Sequence, residues 1–184
     1  RLRCDWSSDV CSSDLATITA PQPARTVSSP APDADNVASA LGLRAGDVEA
    51  GDRAPIICAA GVNFLFACAA SREVLARAQP GSPDGDTVGT ALVALEDLSG
   101  GIVHMRMFAP GAGIAEDPAT GSAAAALPAY LRHRGRPTPA FMVHQGDDMG
   151  RASRITVTVK TDDDGDHVQV GGSGCVMSEG EFIL

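Results

Sequence analysis

Asp117, Thr120, Gly121 and Ser122 stand together where an acidic, proline-containing loop runs into an alanine-rich stretch, and their types and spacing suit the holding of a small anion. The first four amides of a helix have no intrahelical partner, and the helix dipole adds partial positive charge there, so a carboxylate placed at such a start is stabilised. Gly121 lets a ligand approach the backbone, and Ser122 adds a hydroxyl donor. Asp117, just ahead of this start, has two roles open to it on spacing alone. It can cap the helix, or it can project into a pocket as an acceptor or acid–base group. Serine-hydrolase chemistry is not supported at Ser122, because no Gly-x-Ser-x-Gly elbow surrounds it. Thr120 occupies the place where a two-base racemase would want a thiol.

Other residues capable of chemistry read as structural. The five cysteines, Cys4, Cys11, Cys58, Cys68 and Cys175, are odd in number and lack CxxC spacing, so reduced thiols are expected rather than disulfides or a zinc site. His104, His133, His144 and His167 share no metal-ligand spacing, and no metal is expected. Asp162 to Asp166 joins two alternating segments and lacks the distal glutamate of a hand-type calcium loop, so it reads as a hairpin turn. The run Arg132-His133-Arg134-Gly135-Arg136 lies at a helix C-terminus, where cations are favoured.

A formal charge of −9 over 184 residues argues against nucleic acid and anionic membranes as partners. With 44% apolar residues the chain can bury a core. It has no apolar run of the roughly 20 residues that a membrane span needs, and a cytoplasmic location is the expectation.

The elements that must position the site follow from pattern. Residues 1–15 carry the only tryptophan, repeat Ser-Ser-Asp and show no periodicity; they read as adapter-like, non-native sequence. Residues 16–53 read as a proline-rich linker followed by a short helix from Ala34 to Leu41, capped by Asp33 or Asp35 and ended by Gly42. Two apolar runs, Pro55 to Ala60 and Val62 to Cys68, are strand-like and buried on both faces. A helix starts at Ser71, and a hairpin joins 87–95 to 102–108 around Ser99-Gly100-Gly101. The helix from about Thr120 to Arg132 is apolar nearly all round and carries Pro128, which should bend it without breaking it. Strands are expected at 140–143, 155–159 and 168–170, with short apolar segments at 175–177 and 182–184. The order predicts an α+β fold, with a mixed, mostly antiparallel sheet curled around a central apolar helix.

Arg106-x-Phe108-x-Pro110 followed by Gly113-Ile114-x-Glu116-Asp117-Pro118-Ala119-Thr120-Gly121-Ser122-Ala123 resembles the signature of the phenazine biosynthesis PhzF-like isomerases, which share the diaminopimelate epimerase fold. Flanking pieces agree, including Gly61-Val62-x-Phe64-Leu65, Ser71-Arg72-Glu73, Gln145-Gly146-x-x-Met149-Gly150-Arg151-x-Ser153 and Val170-Gly171-Gly172. Ala59-Ala60 depart from the pattern, since many members place a hydroxyl residue just before the glycine matching Gly61.

The resemblance implies two similar domains, each a sheet wrapped on a helix, with the active site between the two helix starts. It assigns 54–184 to the second domain with its closing C-terminal strands, and places the family's catalytic glutamate and a histidine in a first domain outside this chain. Glu116 is not expected to replace that glutamate. What carries over is Asp117 as a catalytic polar partner, Thr120, Gly121 and Ser122 as substrate contacts, a small carboxylate-bearing substrate, proton transfer without metal or organic cofactor, and a homodimer. The chain alone is then expected to be inactive. The alternative is a noncatalytic small-anion-binding domain, or a truncated fold without activity.

Overall fold

The computed structural model describes residues 15–83, 87–163 and 165–173. In chain order its elements are β1 (Leu15–Thr19), β2 (Arg25–Thr26), α1 (Ala34–Ala40), β3 (Ile56–Ala59), β4 (Asn63–Cys68), α2 (Arg72–Arg77), β5 (Gly89–Ala94), β6 (Ile102–Ala109), β7 (Ile114–Asp117), α3 (Gly121–His133), β8 (Ala140–Gln145), β9 (Ser153–Asp162) and β10 (Gly165–Ser173). The strands form one sheet in the order β1-β10-β9-β8-β6-β5-β4-β3-β2, with β7 folded back on β6. β4–β5 and β6–β8 pair in parallel and the other pairs are antiparallel.

The two ends of this sheet meet. Between β1 and β2 the chain follows the edge of β10, through Ala20 N–H to Val168 O and Ala24 N–H to Asp166 O, both 2.8 Å. It then passes to β3 through β2. Inside the curl, α3 packs against β2, β3, β4, β9 and β10. Every residue from Ala123 to Leu131 is buried, and the small alanines let the surrounding strands approach closely. Tyr130 stacks on Phe66 with ring centroids 5.4 Å apart. Pro128 sits within the helix without ending it.

Strand alternation sends a second set of side chains outward. Cys58, Phe64, Phe66, Ala91 and Val93 join the inner core with α3. Ile57, Leu65, Ala67, Leu92 and Phe108 pack outward under α1 and α2. This two-sided burial is why β3 and β4 read as continuous apolar runs. Both outer helices are capped locally, α1 by Asp33 accepting from the Asn36 amide and α2 by Ser71 accepting from the Val74 amide. Cys58 and Cys68 are free and buried. Burial pushes both thiols up to about 12, so they sit in the core as un-ionised groups.

Several expectations are corrected. The stretch 16–53 carries β1 and β2 as well as α1. The Thr17-Ile18-Thr19 run has β-branched preference for a strand, but its partner β10 lies far along the chain and left no local sign. β8 extends to Gln145, past the expected end at Val143. The adapter-like reading of 1–15 and the strands at 175–177 and 182–184 lie outside the described residues, apart from Leu15 in β1. No helix among the described residues is long and apolar enough to cross a membrane.

Candidate active site at the start of α3

β7 returns along β6 after a tight turn at Pro110–Ala112, with Met107 opposite Asp117 and Ala109 opposite Ile114. Gly113 takes φ +78° to make that return. The pairing sets Glu116 against Arg106, which it holds through two bonds of 2.8 and 2.7 Å. The same guanidinium donates to the carbonyls of Leu75, Ala76 and Ala78 at the end of α2. Glu116 is thereby tied into the fold as the nearly buried ion-pair partner of Arg106.

Asp117 is released from the end of β7 beside the start of α3. Thr120 is the N-cap residue and no side chain caps the helix. The capping role open to Asp117 is thus not taken. Its carboxylate instead accepts from the Thr120 hydroxyl at 2.7 Å and, at 3.4 Å, from the Ala119 amide. The first-turn amides are left to whatever lies in front of them, and Ala124 N–H makes the bond that opens the helix, to Thr120 O.

Gln145 is the hub that fixes this loop. Its Oε1 accepts from Thr120 N–H at 3.1 Å, and its Nε2 donates to Asp117 O at 2.6 Å and to the Thr120 hydroxyl at 2.9 Å. Because the hydroxyl oxygen accepts from Gln145, its own proton points at Asp117. A one-way chain, amide to hydroxyl to carboxylate, is the result. Ser153 Oγ supports the loop from below, donating to Pro118 O at 2.6 Å and lying 3.2 Å from Gln145 O. Thr120 is buried, and its hydroxyl is engaged by both Asp117 and Gln145.

A cavity of about 280 Å³ opens at the helix start, lined among others by Ile18, Pro21, Gly61, Val62, Gly121 and Ser122. Its wall is mostly apolar, and Ile18 and Val62 stand 68% and 42% exposed at its rim. Gly121 and Ser122 line the cavity. Thr120 and Asp117 are not in its lining. Residues 18–21 were not anticipated here, since only the pairing of β1 with β10 carries them to α3.

Each member of the acidic pair after Gly146 holds an arginine. Asp148 holds Arg72 of α2 through two bonds of 3.0 and 3.1 Å. Asp147 holds Arg154 of β9 through two of 2.8 and 3.0 Å, and hydrogen bonding from Arg154 lowers its carboxyl below the usual range. The arginines of the basic run are likewise engaged: Arg132 with Asp166, Arg134 with Glu49 and Tyr130, and Arg136 with Leu95 O.

Gly146 joins the hub to this turn with φ +77°, and a Cβ there would lie 2.2 Å from Arg151 O and 2.9 Å from Pro118 O. Gly146→Ala is expected to destabilise the fold by about 2–3 kcal/mol, from backbone strain and the forced shift of two carbonyls. Chemical denaturation followed by far-UV circular dichroism measures it; a loss within 0.5 kcal/mol, the usual range of surface changes, would show that the turn relaxes freely.

The phenazine biosynthesis-like protein family (PhzC-PhzF) matches residues 9–180. Among curated relatives, the trans-2,3-dihydro-3-hydroxyanthranilate isomerase of Pseudomonas aeruginosa is 39% identical over 84 residues, 43% of this chain and 30% of that protein. An uncharacterized isomerase of Clostridium acetobutylicum is 37% identical over 89 residues, 45% of this chain and 30% of that protein. The matched stretch therefore spans less than a third of either relative. Among solved structures, the PhzF-family phenazine biosynthesis protein of Bacillus anthracis superposes with a TM-score of 0.70 at 18% identity, over 86% of this chain and 57% of that one. A protein of Pseudomonas aeruginosa described as a predicted epimerase gives 0.64 at 26% identity, over 90% and 59%. With the family signature around Asp117 and Gly121 and a match across nearly its whole length, the chain belongs to the phenazine biosynthesis-like PhzC-PhzF family.

Proposed function

We propose that this chain supplies one wall of an isomerase active site that relocates a proton on a small carboxylate-bearing molecule. The observation that carries the reading is the uncapped start of α3 opening on an apolar cavity. Gly121 and Ser122 amides, with the Ser122 hydroxyl, clamp the substrate carboxylate where the helix dipole favours negative charge. The apolar rim of Ile18 and Val62 covers the hydrocarbon part. Asp117, aimed by Thr120 and Gln145, receives or returns a proton at substrate carbon. The opposing wall, with the base that first removes the carbon-bound proton, comes from a companion domain of the same two-domain fold. Removal of a proton at one carbon, movement of the double bond and reprotonation at another leaves the oxidation level unchanged, so the step consumes no redox partner.

Support comes from family membership and from the relative named for isomerising trans-2,3-dihydro-3-hydroxyanthranilate, itself an amphipathic carboxylate. That compound is the first probe to use. With the companion domain present, incubation in deuterated water is expected to wash deuterium into substrate carbon. With this chain alone, NMR titration is expected to move the Gly121, Ser122 and Ala123 amides without turnover. Amide shifts with no exchange in the two-domain protein would leave a carboxylate-binding module; no shift at these amides would remove the proposal altogether.

A further inference from the structure

Away from α3, the sheet brings two histidines side by side that lie far apart in sequence. β6 and β8 pair in parallel with His104 opposite His144, so their side chains leave the same face. Their ring centroids are 5.2 Å apart, edge to face. Asp147 follows β8 and turns a carboxylate to the same place. Ligand atoms of His104, His144 and Asp147 all lie within 4.8 Å of one another.

His104 is already oriented. Its Nε2 lies 2.9 Å from Asp97 Oδ2, and because an ionised carboxylate only accepts, Nε2 carries the proton. Nδ1 is left with a bare lone pair, buried and without a hydrogen-bond partner. Leaving such an acceptor unsatisfied is costly. A metal ion satisfies it, and a carboxylate on the far nitrogen is the usual support of a ligating histidine.

We infer that His104, His144 and Asp147 form a binding site for a divalent transition-metal ion, with Zn²⁺ the best match. Two imidazoles and a carboxylate are a zinc-type donor set that leaves a fourth position for water. Arg154 is the competitor, since its two bonds hold Asp147 and one must yield when the ion binds. Neighbouring side chains along a strand point to opposite faces, so His144 lies across the sheet from Gln145. An ion here would staple β6 to β8 and to the turn whose Asp148 holds Arg72, behind the candidate active site and outside its chemistry.

The test uses the full chain freed of metal by chelator. Zn²⁺ titration by calorimetry is expected to show one saturable site, and Co²⁺ to give the visible absorption of a four-coordinate ion. Zn²⁺ at a hundredfold excess over Kd should raise the thermal midpoint by about 5–10 °C. His144→Ala should abolish the cobalt spectrum and the thermal shift. Asp97→Asn should weaken binding by about 10–100-fold. Arg154→Gln should tighten binding several-fold by freeing Asp147, a gain that a poorly folded variant cannot produce. Absence of saturable binding overturns the site. So does binding that neither His144→Ala nor Arg154→Gln alters, which would place the ion on other groups such as thiols.

Discussion

Arg106→Met is expected to cost the fold about 3–5 kcal/mol, the range for breaking a buried ion pair from one side. Arg106 and Glu116 have side chains only 8% and 9% exposed, so neither charge is rescued by water once its partner is gone. The guanidinium fork spends Nε and Nη2 on the two oxygens of Glu116 and Nη1 on three carbonyls at the end of α2. It also lies 5.0 Å from the Phe108 ring centre. Methionine fills much of the volume but leaves a buried carboxylate unpaired and takes the guanidinium donor from the Ala76 and Ala78 carbonyls, while Leu75 O keeps the Ala78 amide. Lysine keeps the charge without the fork, so it should recover little. The double variant Arg106→Met with Glu116→Met should recover part of the loss, because the unpaired charge disappears. Urea unfolding of the series by far-UV circular dichroism gives the comparison. A single-variant loss below 1 kcal/mol would mean that the pair is solvated, as exposed pairs are.

This anchor also shows how much of the molecule was legible beforehand. Local signals were readable: Asp33 as one of two candidate caps, a helix beginning at Ser71, the β5–β6 hairpin, the apolar run of α3 and the polar stretch at its start. Each depends on residues within one turn or one strand. What stayed hidden depends on pairing at long range. Arg106 reaches α2 over about thirty residues, Gln145 reaches Thr120 across 25, and β1 meets the far end of the chain in β10. The histidines of β6 and β8 become neighbours only through a parallel register that no spacing announces. Asp117 shows the boundary most clearly. Spacing allowed both a cap and a site residue, and Gln145, acting through Thr120, turns the carboxylate away from the helix amides.

That same geometry sets the second large effect. Asp117→Asn is expected to lower kcat/KM for proton transfer by about 10²–10⁴-fold, the usual contribution of a placed acid–base group. Stability should stay within about 1 kcal/mol of the unaltered protein, because the amide oxygen of asparagine still accepts from Thr120. Thr120→Val probes the orienting step. It removes the hydroxyl between Gln145 Nε2 and Asp117 Oδ2 while leaving the carboxylate, so about tenfold of rate should go, with a stability loss of about 1–3 kcal/mol from the stranded donor of Gln145. Ser122→Ala should act mainly on KM, since the Gly121 and Ser122 amides remain to hold the carboxylate. Deuterium wash-in, measured with the proposed companion domain present, reads all three variants on one scale. If Asp117→Asn keeps its rate while Thr120→Val loses stability, the loop is a structural knot and the proton passes elsewhere. If Asp117→Asn loses rate without loss of stability, the hydrogen-bond chain from Gln145 serves to aim a carboxylate at carbon.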